Sequence, residues 1–348
     1  MSLQSGSDPT IAREVHLVKP SAGSVAVLDF AVHEHPIPEL APGEFLVRNH
    51  WLSIDAATAL RLGESGSSYL PQIQLNCPIE GWAVGAVIRS ATEEFPVGQA
   101  VLHNHGWRDH TVLSGQSPQW GSASKIDLDD VRTERLFLGP LGPTGLTAWA
   151  GLLRVAELKA DDVVFVSAGA GAVGSLVIQL AKRRGHRVIA SAGSHQKVQF
   201  LTEVLHADAA FCYRDGSPTD LLHAVAPDGI DVYFDNVGGA HLEAALAALR
   251  VGGRVALCGA IAGYQPGGAS PGPKNLFDAT VKGLTLRGFL ARMYAADLAA
   301  CRSEFTEMLQ SGELVLQEQV YEGLENAPTA LVDLLAGVNL GKVLVHLP

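Results

Sequence analysis

Short apolar runs, glycine turns and amphipathic stretches alternate through the middle of the chain. Val163-Val-Phe-Val-Ser-Ala168 is an apolar run of strand length, and Gly169-Ala-Gly171-Ala-Val-Gly174 follows as a turn. Ser175-Leu-Val-Ile-Gln-Leu-Ala-Lys182 then has helical spacing. Residues 187–190 predict a second strand, and 196–205 a helix with Val198, Leu201, Val204 and Leu205 on one face. Strands at 209–213, 230–235 and 253–258 alternate with helices at 219–225 and 242–249, and 284–289 predicts a sixth strand. This alternation predicts an α/β fold: a doubly wound parallel sheet with right-handed crossovers. The first third reads differently. It is rich in Pro and Gly, with short alternating runs at 44–48, 83–88 and 97–102 that predict a compact β domain. A helix at 327–336 and a strand at 342–347 close the chain, and that strand is placed to complete the N-terminal sheet. The expected division is 1–139 with 307–348 as a substrate domain, and 140–306 as a nucleotide-binding domain.

The turn supplies the first chemistry. Strand, G-x-G-x-x-G and helix are the dinucleotide fingerprint of a Rossmann domain: one Gly for the sharp turn, one for close approach to a pyrophosphate, one for helix–strand packing. The helix N-terminus adds free N–H groups and a positive dipole end. An NAD site places an acid at the end of the second strand for the ribose 2′-OH. Here that strand runs into Ser191-Ala-Gly-Ser194 with no carboxylate, and Lys197 stands just beyond. A cation among small hydroxyl residues suits a 2′-phosphate, so NADP(H) is the expected cofactor.

Composition narrows the partners. The chain has 348 residues, 47% hydrophobic and 18% charged, enough for two globular domains. Its net charge of −11 and lack of a basic stripe argue against nucleic acid. No apolar run reaches the roughly 18 residues of a membrane span. The N-terminus is polar, without a signal peptide's apolar core. Cys77, Cys212, Cys258 and Cys301 are scattered, as reduced thiols in a cytoplasm would be.

Further stretches carry a resemblance. They are Leu138-Gly-Pro-Leu-Gly-Pro-Thr-Gly-Leu-Thr-Ala-Trp149, Gly171-Ala-Val-Gly174, Asp235-Asn-Val-Gly-Gly239, Cys258-Gly-Ala-Ile-Ala-Gly-Tyr264, Gly323-Leu-Glu-Asn-Ala-Pro328 and Gly337-Val-Asn-Leu-Gly-Lys342. Together they resemble the medium-chain dehydrogenase/reductase superfamily, in the zinc-independent, NADP-dependent alkenal/one reductase branch that includes leukotriene B4 dehydrogenase/prostaglandin reductase and curcumin reductase. The resemblance implies a GroES-like β-rich domain beside the Rossmann domain and a homodimer. It implies cofactor contacts at Gly171, Ala172, Val173, Gly174, Lys197, Tyr213, Asn236, Cys258, Tyr264, Phe289, Leu290 and Asn339. It makes Tyr264 the candidate proton donor or enolate stabiliser. The implied reaction reduces the C=C bond of an α,β-unsaturated carbonyl compound, with hydride to the β-carbon and a proton to the α-carbon. A quinone reductase and a catalytically weak NADPH-binding protein remain as alternatives.

No metal is expected. There is no four-Cys cluster, and Cys77 lacks the Gly-His-Glu segment that supplies zinc ligands; His103, His105 and His110 are the dense donor cluster, read as a polar loop. The chain also departs from the family: Leu52-Ser-Ile-Asp-Ala-Ala-Thr-Ala-Leu-Arg61 replaces a Pro-aromatic and a Met-Arg pair by small residues. Ala57, Tyr69, Trp107 and Tyr294 are therefore the expected substrate contacts, around a recess suited to hydrophobic or ring-bearing compounds.

Overall fold

The computed structural model describes residues 9–21, 23–63, 71–114, 123–128, 133–264 and 272–348. The chain falls into two units. The first takes residues up to Arg135 with Val320–Val332 and Leu344–Pro348, and the second takes Leu136–Gln319 with Asp333–Val343.

In the first unit, β1 (Ile11–Leu17) and β2 (Phe30–Pro36) form an antiparallel ribbon. The main sheet is built from β3 (Glu44–Ser53), β4 (Ala83–Ser90), β5 (Ala100–His103), β6 (His110–Ser114) and β7 (Ser124–Lys125). β3 pairs with both β4 and β6. Phe45, Leu46 and Val47 are all buried, so both faces of β3 are covered. Phe45 stacks on Phe95 at 4.2 Å within a cluster that includes Val47, Val87, Val101 and Leu113. The run predicted at 97–102 is a strand only from Ala100; Gly98, at φ 89°, turns the chain into it. The ribbon was not legible beforehand because its polar residues, above all the histidines of β2, break the apolar alternation.

In the second unit, β8 (Val163–Val166), β9 (Arg187–Ala192), β10 (Ala209–Cys212), β11 (Ile230–Asp235), β12 (Leu249–Leu257) and β13 (Thr285–Gly288) are parallel, in the order β10-β9-β8-β11-β12-β13. This is the doubly wound order of a Rossmann sheet, with its reversal between β8 and β11. The helices are α1 (Pro143–Ala150), α2 (Ala172–Arg183), α3 (His195–Gln199), α4 (Pro218–Val225), α5 (Gly239–Ala248), α6 (Phe277–Val281) and α7 (Leu298–Gln310). Val164, Phe165 and Val166 are wholly buried, as a parallel strand covered on both faces must be. Phe165 stacks on Tyr233 at 4.9 Å and on Phe211 at 5.8 Å. The helix predicted at 196–205 is split: α3 ends at Gln199 and Phe200–Val204 widens into a π turn. Helix α7 was not predicted, although Cys301, Phe305 and Met308 give it a buried stripe. It is tied in by Trp149 Nε1, which donates to Glu304 Oε2 at 2.8 Å.

The chain ends with β14 (Glu318–Glu322), α8 (Ala327–Ala336) and β15 (Lys342–His346). Leu344, Val345 and His346 pair antiparallel with Ser53, Leu52 and Trp51, so the terminal strand completes the first unit's sheet.

Candidate functional site

Between Val166 of β8 and Ala172 of α2 the chain reverses in five residues. The left-handed conformation falls on Ala168, at φ 48°, and not on a glycine. Gly169 serves packing instead: a Cβ there would lie 3.0 Å from both Ala190 Cβ and Ile178 Cδ1. Gly174 allows the first turn of α2 to close on the loop, since a Cβ would come within 2.5 Å of Ala168 O. Gly171 is the N-cap, in extended conformation and with no capping side chain. The N–H groups of Ala172, Val173 and Gly174 thus begin a 12-residue helix without intrahelical acceptors. A pyrophosphate is the ligand such an end takes. The turn is braced from 170 residues further along the chain: Gly341 N–H donates to Ala170 O at 2.8 Å, and a parallel bridge joins Gly171 to Gly341. Asn339, nearly buried, donates from Nδ2 to Gly341 O at 2.9 Å and so shapes this brace.

A cavity of about 380 Å³ in the same unit is lined by Gly193, Ser194, Lys197, Arg214 and Val338 among others, with no carboxylate on its wall. Ser194 caps α3 and accepts from Lys197 N–H at 3.3 Å. Lys197 Nζ donates to Gly337 O at 2.9 Å. Burial, and then the neighbouring Arg214, hold the Lys197 ammonium below its ordinary range. Two cations converging on a pocket with no acid is the arrangement an anion would relieve. The donor set therefore fits a ribose 2′-phosphate, and the helix end fits the adjoining pyrophosphate. Arg214 escaped sequence reasoning, although a basic residue directly after Tyr213 at the carboxyl end of β10 was a usable signal. The Tyr213 ring packs against Gly193, where a Cβ would meet its hydroxyl at 3.1 Å, and stands edge-on to His241 at 5.2 Å. Burial lowers the His241 pKa to about 4.

The strand order reverses between β8 and β11, and a polar cluster joins their carboxyl ends. Asn236 N–H donates to Ser167 Oγ at 3.1 Å, and Asn236 Nδ2 donates to Ser167 O at 2.8 Å. Asp235 accepts from Gly238 N at 2.7 Å, Val237 N at 2.9 Å and the Tyr233 hydroxyl at 2.7 Å. Burial raises the Asp235 pKa, and these donors oppose the rise. Burial and then Asp235 push the Cys258 thiol up to about 12, so it stays protonated and inert. Tyr264 turns back on this edge: its hydroxyl accepts from Ala260 N at 3.2 Å and would lie 2.9 Å from a Cβ at Gly259. Phe289 is buried with its ring edge-on to Phe234 at 6.4 Å and to Tyr294 at 6.2 Å. Leu290 follows it in extended conformation.

In the first unit, Ala57 lies partly exposed in the short 3-10 helix Ala56–Arg61. Trp107, expected as an apolar wall, is instead a core residue: it is 0% exposed, stands at φ 61° and packs on Phe30 at 5.9 Å. Gly81 leaves room for its indole, since a Cβ there would meet Nε1 at 3.2 Å. Tyr69 lies outside the described residues. His103 is wholly buried. Its Nδ1 accepts from His105 N–H at 3.2 Å, which leaves Nε2 to donate to Asn49 Oδ1 at 2.8 Å. Both ring nitrogens are thus engaged, and burial, then His105 and Arg108, depress its pKa to about 3.

Comparison with known proteins matches both ends of this architecture. The family model described as N-terminal domain of oxidoreductase matches residues 13–119, and that described as zinc-binding dehydrogenase matches 172–311. The chain is 36% identical over 310 residues to the NADP(+)-dependent 2-alkenal reductase of Nicotiana tabacum, covering 89% of this chain and 88% of that protein. It is 34% identical over 317 residues to prostaglandin reductase 1 of Oryctolagus cuniculus, covering 90% and 87%. The crystal structure of CurA from Vibrio vulnificus in complex with NADPH superposes with a TM-score of 0.89 at 32% identity, covering 97% of this chain and 99% of that one.

Proposed function

The chain belongs to the medium-chain dehydrogenase/reductase superfamily, in its NADP-dependent alkenal/one reductase branch, and on that premise we propose the work of its individual residues. It is an NADP-dependent oxidoreductase that reduces the C=C bond of α,β-unsaturated carbonyl compounds. Bound NADPH supplies the hydride. The observation that carries the residue assignment is the convergence of Lys197 and Arg214 on an acid-free pocket, in one unit with the braced glycine turn. Lys197 and Arg214 hold the 2′-phosphate, with Tyr213 beside them. Gly171 and the N–H groups of Ala172, Val173 and Gly174 hold the pyrophosphate. Asn236, Cys258, Phe289, Leu290 and Asn339 shape the cofactor's surroundings. Tyr264, oriented by the hydrogen bond from Ala260, donates to the carbonyl oxygen as negative charge gathers there, the work of an oxyanion donor. Ala57 and Tyr294 contact the substrate.

NADPH oxidation with a panel of enones and quinones, before and after dialysis against a chelator, tests this reading. Enones are expected to turn over faster than quinones, with no loss on chelation, since His103 has no ring nitrogen to offer a catalytic metal. Tyr264→Phe should lower kcat by roughly 10²–10³-fold, the scale of one lost oxyanion donor, with NADPH affinity within about twofold of the parent, since the donor acts only as charge develops. Quinones alone as acceptors would point to a quinone reductase. Binding of NADPH with no acceptor turned over would point to a regulatory protein.

A homodimer is part of the proposal. β13 ends the second unit's sheet, and Val251, Phe277 and Val281 are exposed close to that edge in sequence and pairing. Unpaired edges and apolar patches of this kind are commonly covered by a second copy. Light scattering should give twice the chain mass across a wide dilution range, and a monomer throughout would refute it. Among the described residues no helix is long and apolar enough to cross a membrane, and Cys212 and Cys301 are buried free thiols. The free thiols support a cytoplasmic location.

A further inference from the structure

The β1–β2 ribbon carries a side-chain cluster that none of the proposed catalytic chemistry uses. In its register Glu14 faces His33, His16 faces Ala31 and Ala12 faces His35. Directly opposed residues and their i±2 neighbours share a face, so Glu14, His16, His33 and His35 all project from one side. The imidazole of His16 stacks on that of His33 at 4.6 Å and on that of His35 at 5.2 Å. Glu14 Oε2 lies 3.0 Å from His16 Nε2 and 3.7 Å from His35 Nε2. One donor atom from each of these three residues falls within 4.8 Å of the others.

We propose that Glu14, His16 and His35 form a binding site for one borderline divalent cation of the zinc class. Two imidazoles and a carboxylate are a donor set such ions take. With metal–ligand bonds near 2.0–2.1 Å, tetrahedral ligands stand about 3.4 Å apart, so the observed spacings need only side-chain adjustment. His16 is buried, whereas the His35 side chain is 48% exposed, which leaves the site open on one side to water or to His33. Arg108 Nε stands 3.5 Å from the other carboxylate oxygen, Glu14 Oε1. It orients the carboxylate so that Oε2 faces the histidines. Its charge also opposes the cation, so the site is a reversible one. A bound ion would clamp β1 to β2 and stabilise the folded first unit in proportion to its occupancy. None of the three ligands is among the residues proposed for turnover.

The test uses the full chain without an affinity tag, stripped with a chelator and titrated with ZnCl2 by calorimetry near neutral pH. One zinc per chain is expected, with a saturable rise in Tm. His35→Ala alters an exposed side chain and should keep the fold, checked by circular dichroism; it should weaken zinc binding at least about tenfold and abolish the rise in Tm. Glu14→Gln should do the same. The described residues hold a second donor group, His195, Cys212 and Asp215, so Asp215→Asn serves as the control and should leave binding unchanged. No zinc uptake by the parent chain would overturn the site. So would uptake that survives His35→Ala or is lost with Asp215→Asn.

Discussion

Removing both cations of the phosphate pocket, Lys197→Ala with Arg214→Ala, is expected to weaken NADPH binding by roughly 10²–10³-fold while leaving NADH affinity within about twofold. Each charge-assisted hydrogen bond to a phosphate contributes about 1.5–3 kcal/mol, and about 1.4 kcal/mol is a factor of ten. The two single losses should sum to less than the double loss. Arg214 already disfavours the charged form of Lys197, so deleting Arg214 leaves Lys197 more fully charged and cushions that single loss. The single variants should therefore each lose about tenfold or a little more, and the double-mutant cycle should show a coupling of the sign that this cushioning predicts. Fluorescence titration with both cofactors measures all four proteins. A parent chain that binds NADH as tightly as NADPH would sink the assignment, as would a double variant with unchanged selectivity.

Acid should destabilise this protein well above the pH at which its carboxylates titrate. The His103 pKa is about 3 in the folded state against an ordinary value of 6.5, and that of His241 is about 4. Between those limits the unfolded chain takes up protons that the folded chain refuses. Stability from each group is complete above pH 6.5 and is lost as pH falls toward the folded value, at about 1.4 kcal/mol per pH unit. By pH 5 each histidine has withdrawn about 2 kcal/mol. Asp235 acts in the opposite sense. Its raised pKa means that its contribution falls as pH rises through the window above 3.8, so it offsets part of the histidine slope only at the acid end. Urea unfolding followed by tryptophan fluorescence, with Trp107 wholly buried in the same unit as His103, should record the loss between pH 7 and pH 5. His103→Gln should be less stable at pH 7 yet show a slope shallower by about 1.4 kcal/mol per unit. An unchanged slope in that variant would show that the ring is protonated in the folded state and that its burial does not govern the acid response.

Local pattern was enough for the second unit's frame. Apolar runs of strand length, the amphipathic face of α2, the glycine turn and the absence of an acid after β9 are all written within a few residues of one another. Period and composition report burial at that range directly. Even there the division of labour among the glycines was misread, because the residue that takes positive φ is set by how the loop closes over α2. Ala168 turns and Gly169 packs.

The rest was decided by residues distant in the chain meeting in space. Gly341 bracing Gly171, and Arg214 joining Lys197, depend on strand order and register, which no local pattern carries. Trp107 reads as a pocket aromatic in sequence because an indole suits a wall or a core equally; only the space left by Gly81 and the ring of Phe30 put it inside. The histidines of the first ribbon were invisible as a cluster for the same reason. Four donors on two strands become one face only when the antiparallel register sets Glu14 opposite His33. Sequence alone determined the strand–helix alternation around the glycine turn and which cofactor end it can meet, since both follow from near-neighbour chemistry. Tertiary structure decided which side chains share a site, because that depends on long-range pairing whose energy is spread over the whole sheet and its core.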